Sequence, residues 1–156
     1  MKIHLLFFSF CLSASCLYSQ YKYKVLKHAI ASADTVIIIN YKFYDNYLKV
    51  RSLTLHGKID SAILKKGKFL SVPLKLELAN VLSRKDHLKG MMAVLGGFYP
   101  ELAIVMWHQG QFSFIEISSA CRKISTSKNI GIKTFHTDIR KDTDLHNFLY
   151  DLGIRS

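Results

Sequence analysis

Cys121, Arg122, Glu116 and Trp107 are the residues of this chain whose types and positions point towards chemistry. Cys121 carries a thiol, and Arg122 and Lys123 directly after it would favour the thiolate at an exposed site. Its surroundings, SSACRK, match no catalytic-cysteine signature, so burial as a small hydrophobe and pairing with a second chain stand beside a reactive thiol. Glu116 interrupts an otherwise apolar segment on the same parity as Phe112 and Phe114. It is expected either at an exposed strand end or facing a cation, and it is a candidate site acid if a cleft forms there. Trp107, Tyr99, Phe112 and Phe114 concentrate aromatic surface in one region, which suits either a core or a contact with a partner.

The histidines add no constellation. His28, His56, His87, His108, His136 and His146 show no HxH, HxxxH or HExxH spacing, and no cysteine pair accompanies them, so no metal site is assigned. Gly96–Gly97 stands outside any GxxxxGK[ST] or GxGxxG pattern and reads as a turn; no cofactor is assigned. No catalytic residue is assigned either. Trp107, Glu116, Cys121 and Arg122 are the candidate binding residues.

These residues are positioned by the stretch Leu102–Cys121. Leu102–Trp107 is a continuous apolar run, and Phe112–Ile117 answers it across the polar turn His108–Gln109–Gly110–Gln111, which predicts an antiparallel hairpin. A run without a polar break predicts a strand covered on both faces, at the centre of a sheet. Upstream, the β-branched residues of Thr35–Tyr41 predict a buried strand, and Leu48–Leu55 alternates with a phase slip near Ser52. Tyr21–Ala33 reads as a lead-in segment, and Ile59–Phe69 carries no assigned element beyond a turn at Gly67. A helix is expected after Ser71, with Pro73 in its first turn and Leu74, Leu78, Val81 and Leu82 in one stripe. Ile130–His136 reads as a short last strand. A terminal helix is expected from about Thr143 to Leu152, capped by Asp142, with Gly153 left-handed and Ile154 folded back onto Leu149. The fold class is α+β: a mostly antiparallel sheet with a central hairpin and two packed helices.

The N-terminus reads as a secretory signal peptide over residues 1–19: Lys2, an apolar core Ile3–Leu12, then small residues to Ser19. Cleavage after Ser19 leaves residues 20–156 as one small α+β domain, exported to the periplasm or cell surface. Cleavage before Cys16, as in a lipoprotein, is the alternative. Of the three cysteines, only Cys121 remains in the mature chain. The formal charge of +11 suggests an acidic protein, a glycan or a lipid head group as partner. Nucleic acid is disfavoured by the exported route and the lack of a recognisable module.

Residues Gly96–Gly97 with Pro100, Leu102–Trp107, Phe112–Ile117 and Gly153–Ile154 together resemble a group of small exported proteins of unknown function from Bacteroidota-type bacteria. The resemblance covers about residues 70 to 154 and implies export and the fold. Where the group carries I-C-x-x-C, this chain has Ser118 and retains only Cys121, so a thiol-pair role does not carry over. The resulting expectation is an exported envelope protein acting as a binding module without catalysis. The alternatives are an exported hydrolase-type enzyme using Cys121 or Glu116, and an anion-binding envelope protein acting through its lysines.

Overall fold

The computed structural model describes residues 21–41, 53–55, 58–84, 100–118, 123–132, 135–136 and 144–154. The expected signal segment, the Gly96–Gly97 turn and the Asp142 cap lie outside the described residues.

The first described element is helical over residues 21–32, α1, where the sequence suggested only a lead-in. Tyr23, Leu26, Ile30 and Ala33 recur at helical spacing and are buried, while Lys24, Lys27 and His28 are exposed. The strand β1 (Thr35–Asn40) follows. β2 (Thr54–Leu55) pairs with β3 (Lys58–Ile59) as a separate two-stranded ribbon, so the described end of the alternating segment does not join the main sheet. The unassigned stretch after it holds α2 (Ser61–Lys65), capped by the Asp60 carboxylate accepting from the Ala62 N–H, and β4 (Lys68–Phe69). Next come α3 (Val72–Leu82), β5 (Leu102–His108), β6 (Gln111–Ser118) and β7 (Lys123–Thr126). Of the expected last strand, Ile130 ends a 3-10 turn (Lys128–Ile130), and among the described residues β8 (Phe135–His136) is the part that pairs. α4 (Asp144–Asp151) closes the fold.

The main sheet runs β4-β1-β5-β6-β7-β8 with every pairing antiparallel, so the molecule is α+β and the β5–β6 hairpin is central. The hairpin turns through Gln109 and Gly110, both at positive φ (50° and 77°), the geometry of a two-residue primed turn. Leu102, Ile104 and Met106 face one core with Val36, Ile38, Ile115 and Ile117, under a layer made by α1, α3 and α4. Ala103 and Val105 face the other way, with Ile37, Ile39, Tyr41, Leu53 and Ile63 of α2. The unbroken apolar run of β5 follows from this two-sided burial.

Local chemistry explains the helix ends. α3 starts at Ser71 with Pro73 in its first turn, where a missing N–H is harmless. Lys75 does not simply face solvent: its ammonium donates to the Ala33 carbonyl at 2.7 Å, tying α3 to the end of α1. α4 ends as the sequence implies, with Gly153 at φ 74°, its N–H donating to Tyr150 O and that of Ile154 to Leu149 O, each at 2.8 Å.

Candidate functional site

The face of the sheet away from α1, α3 and α4 carries the candidate site. Strand register places Trp107 opposite Phe112, Val105 opposite Phe114 and Ala103 opposite Glu116. Because paired residues project to the same side, Trp107, Phe112, Phe114 and Glu116 share this face. All four are half-buried. Trp107 and Phe114 rest partly on the second core, and Phe112 stands beside Trp107 at the hairpin end. From Phe112 to Glu116 the row extends roughly 14 Å, at about 3.4 Å per residue.

Glu116 is not at an exposed strand end. It sits on an interior strand between Ala103 of β5 and Ser125 of β7, and its Oε1 accepts a hydrogen bond from the Tyr41 hydroxyl at 3.1 Å. Ile39 pairs with Ala103, and Tyr41 lies two residues further along the same side of the chain. In the register the small side chain of Ala103 stands between Ile39 and Glu116, and the phenol reaches over β5. Burial raises the Glu116 carboxyl above its usual range, and the Tyr41 hydrogen bond offsets part of that rise. The result is a half-buried carboxyl able to accept a hydrogen bond when ionised and to donate one when protonated.

The backbone under the aromatic row is held from the side. Ser127 Oγ accepts from the Phe114 N–H at 3.0 Å, the Ser127 N–H donates to Phe114 O at 2.9 Å, and Asn129 Nδ2 donates to Phe112 O at 2.9 Å. At the other end of the row, Asp34 receives the Gln109 N–H at 2.8 Å and donates its own N–H to Trp107 O at 2.7 Å. His108 Nδ1 lies 2.8 Å from Ser32 O, joining the turn to the end of α1.

Of the four candidates from sequence, Trp107 and Glu116 come together on this face; Cys121 and Arg122 lie outside the described residues. Tyr41, Ser127 and Asn129 were not singled out by sequence. Tyr41 continues the inward parity of Ile37 and Ile39, and Ser127-x-Asn129 before Gly131 is turn chemistry, but neither pattern names its partner.

Away from this face, a concavity of about 460 Å³ runs between α3 and α4, lined among others by Leu76, Glu77, Asn80, Asn147 and Asp151. The Arg84 guanidinium pairs with the Asp144 carboxylate across it, an exposed ion pair of small energetic weight. Among the described residues no three His, Cys, Asp or Glu side chains gather as metal ligands, and no helix is long and apolar enough to cross a membrane.

No protein-family model, curated protein or solved structure matches the chain.

Proposed function

We propose that the chain is an exported envelope protein that works by binding, and that the aromatic face of the β5–β6 hairpin holds a carbohydrate chain of the cell envelope. The observation that carries this is the alignment of half-buried Trp107, Phe112 and Phe114 in one row ending at the Glu116–Tyr41 pair. A sugar ring offers an apolar C–H face and a rim of hydroxyls. The aromatic row matches the first, and a carboxyl that both accepts and donates hydrogen bonds matches the second. Export is supported by the signal pattern of residues 1–19.

The test uses the single tryptophan of the chain, which stands in the proposed site. Purified envelope polysaccharide, titrated against the protein, shifts or quenches Trp107 emission in a saturable way; emission unchanged across envelope polysaccharides sinks the assignment.

One observation favours a hydrolase reading: the raised Glu116 carboxyl is the property of a proton donor. The two readings separate at Glu116→Gln. Binding predicts weaker association, whereas catalysis predicts association retained and turnover abolished.

A further inference from the structure

Helices α1, α3 and α4 bury one side against the sheet and turn the other outward, away from the aromatic row. Charge is divided on that outer side. Lys24 and Lys27 stand exposed one turn apart on α1, a helix whose sequence holds no acid. The groove between α3 and α4 holds Glu77, Asp144 and Asp151, three of the eleven acids of the whole chain. Arg84, just past the end of α3, pairs with Asp144 at the start of α4, so the two helices run antiparallel. Glu77, about two turns back from Arg84, therefore lies level with Asp151, about two turns on from Asp144. Neither makes an ion pair or hydrogen bond among the described residues. Lys68, the cation that reaches the end of α4, donates to the Leu152 carbonyl instead. Between these acids the groove is apolar: Leu76 lines it and is 45% exposed, over the buried Val81 and Phe148.

A solvated helix surface accounts for exposed charges of both signs, but not for their division between a basic stripe and an acidic groove that exposes a leucine. We propose that the outer side of the helical layer is a self-complementary interface, on which two copies of the chain dock with α1 of each seated in the α3–α4 groove of the other. Charge complementarity selects this occupant. Stripe and groove belong to one surface, so a two-fold axis forms both contacts at once, as an isologous dimer requires. Lys24 and Lys27 then meet Glu77 and Asp151, and their methylene stems cover Leu76. Repulsion between two chains of formal charge +11 is spread over the whole surface and screened beyond about 8 Å at physiological salt, whereas these pairs act at contact. The hairpin face lies on the other side of the sheet, so the dimer presents two aromatic rows facing away from each other and grips a polymer at two points.

The experiment is sedimentation equilibrium of the protein purified from its host, with two charge-reversed variants purified in the same way. The wild type sediments as a concentration-dependent dimer. Lys24→Glu/Lys27→Glu reverses the stripe and Glu77→Lys/Asp151→Lys reverses the groove, all at exposed positions. Each variant alone places like charges in both contacts and associates about a hundredfold more weakly, with unchanged melting. Mixed together, the two variants restore the dimer, because the basic stripe of one meets the acidic groove of the other and the reversed pair matches in turn. No polysaccharide enters the measurement, so this inference and the carbohydrate assignment fail separately. A wild type that stays monomeric, a dimer indifferent to both reversals, a mixture that stays monomeric, or a monomer whose groove instead binds an oligolysine peptide each overturns the proposal.

Discussion

The Tyr41 hydroxyl donates to Glu116 across the intervening strand β5, bridging residues 75 positions apart at a point where β5 carries Ala103. The contact joins the first strand of the sheet to the hairpin and opposes the burial-driven rise of the Glu116 carboxyl on the aromatic face. Removing the hydroxyl removes the interaction that opposes the rise caused by burial. Tyr41→Phe therefore raises the Glu116 pKa further, and side-chain carboxyl titration by NMR reads the change. An unchanged titration curve would mean that the hydrogen bond does not form in solution.

The same carboxyl sets a direction for stability against pH. Glu116 holds its proton more tightly folded than unfolded, from an ordinary value of 4.5. Its burial cost is accordingly absent below that value, grows as pH rises through the folded pKa, and is complete above it. Glu116→Gln keeps the shape and the Tyr41 partner without the charge. The variant is more stable than wild type at neutral pH, with the difference shrinking towards zero in acid. Denaturant melts at several pH values check this; a difference independent of pH would contradict it.

Ala103 is fully buried, and the passage of Tyr41 to Glu116 depends on its size. Ala103→Leu overfills this point, costing about 1–3 kcal/mol and displacing the phenol. In that background Tyr41→Phe no longer shifts the Glu116 titration. A persisting shift would place the contact on another path.

Gly67 is constrained by space: a Cβ there would lie 2.3 Å from Ile37 Cγ2 and 3.1 Å from Ile39 Cγ1. Gly67→Ala forces α2 and β4 away from β1 and lowers stability by about 1–3 kcal/mol, measured by chemical denaturation. A neutral effect would show that this corner repacks without loss.

Legibility in the sequence followed the range of the interactions. The β5–β6 hairpin, the start of α3 and the glycine end of α4 were readable because each is specified within a few residues: a two-residue turn, Ser71 with Pro73, and Gly153 with Ile154. α1 was missed because Val25, Ala29 and Ala31 interleave with the buried Tyr23, Leu26 and Ile30 and blur the polar side of the helix. Glu116 was misplaced at a strand end because its environment comes from β7 on one side and from a tyrosine beyond β5 on the other. Gly67 looked like turn chemistry; its role is close approach to Ile37, which only tertiary packing reveals. Trp107 with Phe112 and Phe114 was legible as an aromatic concentration, but their shared face needed the register.

The most direct measurement is a calorimetric isotherm of purified envelope polysaccharide with the wild type and with Phe112→Ala, a half-buried position paired to Trp107 at the rim of the row. If the hairpin face is the carbohydrate site, the variant binds about tenfold more weakly, a loss of about 1.4 kcal/mol, with its fold intact by circular dichroism. Identical isotherms for the two proteins, or no heat from either, would contradict the assignment of this face as the binding surface.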